Sequence, residues 1–509
     1  MKNAFILQIP MAILITMAAL VIGCSDTGSP VAPDNDDALR IESVTVSSLS
    51  TVLSPSQYDV VPTGQKLTLM CKSSGADGAD LSTLWSANCG EFNRTDSCAV
   101  EWVAPDTNAS AEIAVTVSDG HQQAGDTLRL GILSSHTWER SYNLGSYEDG
   151  QDVLIAGDGG YVVLVSHGGV NLVKIAADGS ILWRRLYVLG GSYWARSVTA
   201  LPDGGYAITG GRRVSDGTAL LWDVFVLRLD AQGNLLWQKI FGGEGGDAGY
   251  DAVATPDGGL LVVGGTGSFG GAGEGVYLVR IDADGNLLWQ KTYPGMRGTS
   301  IIATSDGGYA ITGEIGIWCV GASDVFLLMV DADGNMIRQL TYGDIDGELS
   351  FAVIETPSGG FAIAGQAYSP SNGDTDGFLF LTDHEGNLTK WTDFGGSSDD
   401  LVRDVVNRPQ GGFAVAGYTK SFGEGGWDMY LTAFDGGGTF EWGSTFGGSE
   451  LEEGQGLVCT KDDGFVVVGR TMSFSTDLCD LYVVKTDKNG RIWQHPEEEA
   501  DAKLLADSR

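Results

Sequence analysis

The sequence predicts an all-β protein in which a small β-sandwich precedes a seven-bladed β-propeller of four-stranded blades. Gly accounts for 75 of the 509 residues while aromatic residues remain at 9%, and this combination favours a folded, turn-rich chain over a disordered one. Two turn signals recur about every 50 residues, as the blades of a propeller require. The runs between these turns are rich in β-branched and aromatic residues and lack a helical period.

Residues 1–23 have the composition of a secretion signal. Lys2 precedes an apolar run that ends at Ile22, and such a run closed by small residues is typical of a cleaved signal peptide. The residues before Cys24 resemble the lipobox of bacterial lipoproteins, which implies that Cys24 becomes the lipidated first residue of the mature chain. Ser25 then implies the outer membrane, on its periplasmic or its cell-surface face. A transmembrane anchor is the alternative, because the length of the run allows a membrane span.

The segments at the two ends of the mature chain are polar. Residues 24–39 hold the lipidated cysteine and a run rich in Pro, Asp, Gly and Ser, which predicts a flexible tether. Residues 497–509 are a polar tail. The formal net charge is −36 and no basic cluster offsets it, so the chain repels nucleic acid. Nucleic acid is therefore excluded as a partner, and membrane contact is predicted through the lipid anchor.

Residues 40–133 alternate apolar and polar positions in short runs, as in KLTLMCKS, AVEWVAP and AEIAVTVSDG. Turn residues separate these runs, which predicts a β-sandwich with Trp85 and Trp102 in its core. The run WSANCGEF and the later WVAP and AVTVSDG resemble bacterial immunoglobulin-like or PKD-type domains. The resemblance implies a spacer.

The cysteines outside the lipidation site lie in a compartment that permits disulfides. Cys89 and Cys98 flank a short acidic loop and form one candidate pair, while Cys459 and Cys479 share one repeat and form a second. Spacing alone does not decide the connectivity. No Cys/His cluster with zinc-ligand spacing occurs.

Residues 136–496 are predicted to form the propeller, because they repeat two turn signals seven times. The first is a D-x-x-G turn, with Ala176 in place of the Asp in the first unit, whose Gly stands at 179, 233, 285, 334, 386, 438 and 490. The second, which reads DGG, SGG, QGG or DDG, alternates with the first. Each unit contains four strand-like runs, for example ARSVTAL, YAITGG, DVFVLRLD and NLLWQKIF. Seven four-stranded units predict seven blades.

The run WERSY at 138–142 matches the fourth strand of a unit but precedes every other strand. We therefore expect it to complete the last blade, since closing the ring in this way removes an exposed sheet edge. The run RIWQ around Trp493 competes for the same edge.

Two recurring motifs have a cofactor interpretation and a simpler structural one. DADGN at 282–286 and 331–335 resembles the opening of a calcium loop, but the bidentate Glu is absent and a hairpin turn explains the whole series. A Trp also recurs four residues after the turn Gly, at 183, 237, 289 and 442. Docking between neighbouring blades explains it better than stacking on a cofactor. No cofactor is predicted, and calcium is the one ion that a motif in the sequence suggests.

Strand order assigns the loops to two faces of the disc. The loops between strands one and two and between three and four are short repetitive turns, whereas the others are longer and vary between blades. Variable loops on a rigid scaffold are the usual place for binding. Aromatic side chains among carboxylates on this face suit sugar rings or a protein partner. The candidate ligand-binding residues are Trp194, Trp222, Trp318, Trp427, Asp247, Asp399 and Asp400. The alternative is that the aromatic side chains pack the loops together.

The repeat resembles two groups of propellers. The pattern WQKTY-GG with DGGYAITG resembles secreted bacterial and archaeal propeller-repeat proteins, whose function is largely uncharacterised. The run from Asp230 to Trp237 is also similar to the tryptophan-docking repeat of PQQ-type propellers, which include quinoprotein dehydrogenases and the outer-membrane assembly lipoprotein BamB. Here the turn is one residue shorter and lacks the Thr of that family.

The residues favour binding over catalysis. The chain has five His, and only His167 lies in a loop of the variable face, without a nucleophile beside it. No catalytic residue is therefore predicted. The first hypothesis is an envelope binding module for a polysaccharide or protein, and the second is an envelope-assembly scaffold of the BamB type. The third is a carboxylate-based polysaccharide hydrolase or lyase, because that chemistry needs only two acids.

Overall fold

The structure is a computed structural model. It describes residues 20–22, 40–48, 60–62, 66–74, 81–104, 109–133, 137–145, 147–166, 169–215, 220–269, 274–317, 322–343, 347–369, 374–475 and 478–492. These residues form an all-β structure. Within them, no helix has the length and apolar character needed to cross a membrane. The chain divides into two compact units, of which the second spans His136–Ile492 and the first holds the described residues up to 133.

The first unit is a β-sandwich of two sheets. Its strands are β1 (Leu20–Ile22), β2 (Arg40–Ser48), β3 (Val60–Pro62), β4 (Lys66–Ser74), β5 (Ser82–Ala87), β6 (Glu91–Phe92), β7 (Ala99–Val103), β8 (Ala109–Ser118) and β9 (Gln123–Leu133). One sheet has the order β1-β2-β4-β7-β6 and the other β3-β9-β8-β5. Trp85 from one sheet and Trp102 from the other are buried in a shared core, which confirms their predicted place. Strand β1 belongs to the segment predicted to be the signal peptide.

The second unit contains seven four-stranded antiparallel sheets in its described residues, one for each predicted blade. Blade 1 consists of β11 (Asp149–Ile155), β12 (Tyr161–Ser166), β13 (Val170–Ile175) and β14 (Ile181–Tyr187). Blade 2 consists of β15 (Tyr193–Ala200), β16 (Tyr206–Ser215), β17 (Leu220–Leu229) and β18 (Leu235–Phe241). Blade 3 consists of β19 (Asp247–Ala254), β20 (Leu260–Thr266), β21 (Gly275–Ile281) and β22 (Leu287–Tyr293). Blade 4 consists of β23 (Arg297–Ala303), β24 (Tyr309–Ile317), β25 (Ala322–Val330) and β26 (Met336–Tyr342).

The remaining blades follow the same plan. Blade 5 consists of β27 (Glu348–Glu355), β28 (Phe361–Ser369), β29 (Asp374–Thr382) and β30 (Leu388–Phe394). Blade 6 consists of β31 (Asp400–Asn407), β32 (Phe413–Thr419), β33 (Asp428–Phe434) and β34 (Phe440–Phe446). Blade 7 consists of β35 (Glu452–Cys459), β36 (Phe465–Thr471), β37 (Asp480–Thr486) and β10 (Trp138–Tyr142). The middle strands of each blade are almost wholly buried, because a neighbouring blade covers each of their faces.

The ring closes through β10. This strand pairs antiparallel with β37, with Trp138 opposite Lys485 and Tyr142 opposite Leu481, which confirms the prediction that the first strand completes the last blade. Trp493, the competing candidate, lies outside the described residues. A hydrophobic cluster that includes Val163 of blade 1 and Val466 of blade 7 packs these two blades together. Comparable clusters fill the other six seams.

The repeated Trp residues dock five of the seven blades on the next one. The ring of Trp183 lies against the turn glycine Gly233 of the following blade, at the place where a side chain would otherwise stand. Trp138, Trp237, Trp289 and Trp442 meet the next turn glycine in the same way. In blade 4, where the sequence has Arg338 instead, its guanidinium donates to the carbonyl of Glu385 at 2.8 Å. The interpretation of this series as structural docking is therefore confirmed.

The D-x-x-G turns are hairpin turns stabilised by their own Asp. In the DADGN turn at 282–286, the carboxylate of Asp282 accepts hydrogen bonds from the main-chain N–H of Asp284 at 3.0 Å and of Asn286 at 2.8 Å. Its second oxygen accepts from the Asn286 side chain at 2.9 Å, and Gly285 has a φ of 76°. Both oxygens of Asp282 thus serve the turn.

Candidate binding site at the channel mouth

The innermost strand of every blade contains one β-bulge at the same position. A bulge leaves one residue out of the strand pairing and re-aims its side chain. The seven bulged residues are Gln151, Arg196, Tyr250, Thr299, Phe351, Arg403 and Gln455. All seven line one polar cavity of about 120 Å³ in the central channel. The bulges therefore form a ring of side chains around the channel.

Three aspartates directly after these bulges link neighbouring blades. Asp152 accepts a hydrogen bond from the N–H of the next residue at 2.7 Å and another from the N–H of Val198 in blade 2 at 2.8 Å. Asp251 bonds in the same way to Ile301 of blade 4 at 3.0 Å, and Asp404 to Leu457 of blade 7 at 2.8 Å. Each carboxylate accepts main-chain N–H hydrogen bonds with both of its oxygens, so its primary role is to hold two blades together.

Burial perturbs the titration of these carboxyl groups. It raises the pKa of Asp404 to about 8 and that of Asp152 to about 7, and it also raises the pKa of Asp251. The hydroxyl of Ser197 donates to Asp251 at 2.8 Å and favours the charged form. Asp404 is flanked at the equivalent positions by Ala352 and Gly456 and gains no such bond, and after burial the charge of Asp152 raises its pKa further.

Two arginines of the bulge ring carry no ion pair in the part of the chain that the structure describes. Arg196 is half-buried and makes one long hydrogen bond, to the side-chain oxygen of Gln151 at 3.3 Å. Arg403 donates to the Tyr418 hydroxyl at 2.5 Å and to Gln366 at 3.4 Å. Burial lowers the pKa of Arg196, and the charges of Arg403 and Arg297 act in the same direction. A third guanidinium, that of Arg297, is paired with buried Glu314 at 2.7 Å.

Each of these two arginines is accompanied by aromatic side chains. The Arg196 guanidinium lies 4.7 Å from the ring centre of Trp194 and 5.9 Å from that of Tyr250. Trp194 in turn makes edge contacts with Trp222 at 6.4 Å and with Tyr250 at 5.7 Å. We call Trp194, Trp222 and Tyr250 the aromatic shelf. Trp194 lies at the start of its inner strand, so the shelf stands at the variable-loop end of the channel.

A wider cleft continues outward from the shelf. It has a volume of about 720 Å³, and its lining includes Trp222, Tyr250 and Arg297. Gly246, Gly265 and Gly267 also line it, together with Asp247 and Glu274. The predicted ligand residues Trp194 and Trp222 are thus brought together here.

The predicted residues Trp427 and Asp399 form a second group, on blade 6. Lys420 joins them, because its ammonium lies 4.2 Å from the ring centre of Trp427 and 2.9 Å from an Asp399 oxygen. Trp427 also makes an edge contact with Tyr418 at 5.0 Å, and Tyr418 bonds to Arg403. This group is therefore connected to the channel mouth from the side opposite the shelf. Trp318 lies outside the described residues.

Asp247 and Asp400, predicted to face a ligand, are 1% and 2% exposed. The expectation that they present carboxylates on the surface is wrong. Asp247 accepts hydrogen bonds from Thr266, from Ser268 at 2.5 Å and from the N–H of Gly243 at 2.8 Å. Asp400 has the same three kinds of donor. These buried carboxylates hold the variable loops in place through hydrogen bonds.

Buried acids also occur in pairs at the seams between blades. Where the third strand of one blade has Asp at its start, the next blade has Asp or Glu at the start of its first strand. The pairs are Asp223–Asp247, Asp324–Glu348, Asp376–Asp400, Asp428–Glu452 and Asp480–Glu148. The other two seams have Gly169 with Tyr193 and Gly275 with Met296. In four pairs both carboxylates converge on one glycine, Gly242, Gly343, Gly395 or Gly447, where a Cβ would strike both. Burial and the neighbouring acids, Asp374 and Asp400 first, raise the pKa of Asp376 to about 6.

The candidate disulfides differ from the sequence expectation. Cys459 and Cys479 sit at opposite ends of blade 7, because Cys459 aligns through Phe465 with Thr486, six residues along β37 from Asp480. That separation of about 20 Å rules out a bridge. In the sandwich, Met70 is opposite Ala99, and the N–H of Cys71 donates to the carbonyl of Cys98 at 2.8 Å. The cross-strand neighbour of Cys98 is therefore Cys71 and not Cys89. No disulfide joins the described cysteines.

Sequence reasoning missed Arg196, Arg403 and Tyr250, which form the channel mouth with the predicted tryptophans. Aligning the seven first strands could have found them. The residue before Asp152, Asp251 and Asp404 and their equivalents changes type from blade to blade, which marks a position free of the repeat's structural constraint.

Comparison with known proteins gives resemblance at the level of architecture. No protein-family model matches the chain, and no curated protein matches its sequence. Among solved structures, the Dos1 propeller is 13% identical with a TM-score of 0.44, covering 84% of this chain and 91% of its own. A quinoprotein alcohol dehydrogenase-like protein from Bacteroides thetaiotaomicron is 10% identical with a TM-score of 0.35, covering 79% of this chain and 96% of its own. The Pan2 WD40 domain from Neurospora crassa is 9% identical with a TM-score of 0.42, covering 69% and 92%.

Proposed function

We propose that this protein is a lipid-anchored protein of the bacterial cell envelope whose propeller binds a polysaccharide or protein ligand without catalysis. The observation that carries the proposal is the aromatic shelf beside the guanidinium of Arg196, which forms no ion pair with the described residues, at the variable-loop end of the channel. Large planar side chains with a polar group beside them stack on sugar rings and anchor protein partners.

The channel carboxylates argue for binding rather than hydrolysis. A glycosidase needs one carboxyl group as acid and a second as base or nucleophile, both facing the scissile bond. Asp152, Asp251 and Asp404 are instead held by main-chain N–H groups of adjacent blades. Turnover of a polysaccharide by the purified protein, lost in Asp404→Asn but kept in Trp194→Ala, would contradict this part of the proposal.

A glycan array probed with the full chain tests the binding site. Trp194→Ala and Trp222→Ala should each lose at least tenfold in affinity for any glycan that the wild type captures, because each removes a stacking surface. Leu288→Ala is the control, since Leu288 is also an exposed apolar residue but lies on an outer strand. Equal binding by both Trp variants would refute a site on the shelf.

The anchor is a separate part of the proposal. Cys24 is the residue expected to carry the lipid, and processing before it would remove β1 from the mature sandwich. Metabolic labelling with a fatty acid should mark the wild type and leave Cys24→Ser unlabelled. Separation of the two membranes by density should place the labelled protein in the outer membrane. Equal labelling of both forms would refute the anchor.

A further inference from the structure

We propose that the channel mouth binds the carboxylate of an acidic sugar between Arg196 and Arg403, with the sugar ring on the aromatic shelf. This inference rests on the proposed function and gives its ligand a chemical class: a carbohydrate that carries uronic-acid-type residues.

Arg196 and Arg403 form no ion pair in the described residues, although acidic side chains lie near them. The chain has 66 Asp and Glu for 30 Lys and Arg, so acidic partners are abundant. The neighbouring Arg297 and Arg470 are paired, with Glu314 at 2.7 Å and Glu453 at 2.6 Å. Asp149 acts on the charges of Arg196 and Arg403, and Glu453 on that of Arg403, without ion-pair contact. A half-buried guanidinium without a direct partner of opposite charge is costly, and an anionic ligand group would reduce that cost.

The acids of the channel are poorly suited to neutralising the charges of Arg196 and Arg403. Asp152, Asp251 and Asp404 use both carboxylate oxygens for main-chain N–H groups. Asp149 is the carboxyl that acts on Arg196, and burial followed by the charge of Glu453 raises its pKa to about 7. Burial therefore weakens the compensation that Asp149 gives to the charge of Arg196. The neutral members of the bulge ring supply polar contacts without a charge.

The sizes and shapes of the channel cavity and of the cleft outside it also suit such a ligand. The cavity of about 120 Å³ around the bulge ring admits a small group and not a polymer chain. A guanidinium fork matches the two oxygens of a carboxylate. The cleft of about 720 Å³ outside it is lined by Trp222 and Tyr250 of the shelf, by glycines and by the acidic residues Asp247 and Glu274, and it has room for a flat ring. The shelf can thus hold the sugar while the carboxylate enters the channel.

The net charge of the chain acts on an approaching ligand at long range. A net charge of −36 repels a densely charged polyanion. The arginines at the mouth favour a carboxylate. The repulsion by the net charge and the attraction at the mouth together favour a sugar chain whose acidic residues are spaced among neutral ones. The second aromatic group, Trp427 beside Tyr418 and Arg403, extends the surface along which such a chain would lie.

The experiment uses the full chain and four small probes: D-glucuronate, its uncharged methyl ester, acetate and N-acetylalanine. Binding is measured by calorimetric titration and by saturation-transfer NMR at millimolar probe concentrations. We expect glucuronate to bind at least tenfold more tightly than the methyl ester, which lacks the charge, and more tightly than acetate, which lacks the ring. Arg196→Gln and Arg403→Gln should each weaken glucuronate binding at least tenfold.

Arg491→Gln is the matched control, because Arg491 is an exposed arginine in the short turn after β37, away from the variable loops, and it should bind as the wild type does. Calorimetric unfolding of each variant shows whether the fold is intact. Equal binding of glucuronate and its ester, or no binding of any probe, would overturn the proposal. Equal binding of glucuronate and acetate would indicate an adventitious ion only. Tighter binding of N-acetylalanine than of glucuronate would assign the mouth to the carboxyl end of a peptide instead.

The outcome separates this inference from the proposed function. The array could show neutral glycans whose binding is lost in Trp194→Ala and kept in Arg196→Gln and Arg403→Gln. That result would support binding at the shelf and refute the carboxylate assignment.

Discussion

Replacing Ala352 by Ser should lower the pKa of Asp404 and flatten the pH dependence of propeller stability. The structure contains the precedent for this change. Ser197 occupies the equivalent position one blade before Asp251 and donates its hydroxyl to that carboxylate at 2.8 Å. Asp404 has Ala352 at the same place, so the substitution adds a hydrogen bond that the fold already makes elsewhere in the ring.

The magnitude follows from the titration of Asp404. Burial raises its pKa from the ordinary 3.8 to about 8. Between these values the folded chain keeps a proton that the unfolded chain has released, so the free energy of unfolding falls as the pH rises, by up to about 1.4 kcal/mol per pH unit. The stabilisation is complete below pH 3.8 and is lost as the pH approaches 8. A hydroxyl donating to a carboxylate contributes about 1.5–3 kcal/mol, which corresponds to about one to two pKa units.

Calorimetric unfolding of the full chain between pH 5 and pH 8.5 measures the effect. Ala352→Ser should be more stable than the wild type above pH 7 by about 1.5–3 kcal/mol, and the difference should shrink toward pH 5. Ala200→Ser, at the exposed end of an inner strand, is the matched control and should follow the wild-type curve. A properly folded Ala352→Ser protein with the wild-type pH slope would show that the missing hydroxyl is not what sets the pKa of Asp404.

Three further changes test other contacts of the fold. Gly242→Ala puts a Cβ onto both carboxylates of its seam and should cost more than about 2 kcal/mol in chemical unfolding, whereas Gly157→Ala, with nothing within 4 Å, should be nearly neutral; equal costs would contradict the convergence of the two acids. Tyr187→Phe removes a 2.7 Å hydrogen bond to the next blade's turn and should lower stability by about 1 kcal/mol, with an unchanged midpoint counting against that bond. Peptide mapping of the oxidised protein should find Cys71 linked to Cys98, because directly opposed strand residues lie within disulfide range, and a link between the two cysteines of blade 7 would contradict the strand register.

The architecture of the propeller could be predicted because each strand has a strong local signal. The turn glycines adopt positive φ values, 84° at Gly179 and 75° at Gly233 for example, and a residue type tied to a backbone conformation marks its position in the sequence. The surplus strand at Trp138 indicated closure in the same way, because it had no partner within its own repeat. Local conformation and repetition therefore carried the fold.

The site was predicted less well, because it depends on contacts between blades. Asp247 and Asp400 look like exposed loop acids in the sequence, but the Thr and Ser that bury them stand about 20 residues later. Arg196 and Arg403 point into the channel because of a bulge, which shifts the alternation of a strand by one residue. No pattern of apolar and polar residues within one strand reveals such a shift.

The position of β10 in blade 7 delays closure of the propeller until the whole unit has been made. The hydroxyl of Tyr482 bonds to Glu139 across 343 residues of sequence, so the first strand of the propeller pairs its main chain only when the last strand is available. Until then, the edges of an incomplete seventh sheet are available to other strands, which is a hazard for aggregation. Synthesis that stops a few dozen residues early would leave six complete sheets and no closed ring. We therefore expect truncated chains to be degraded by proteases and not to persist as smaller propellers.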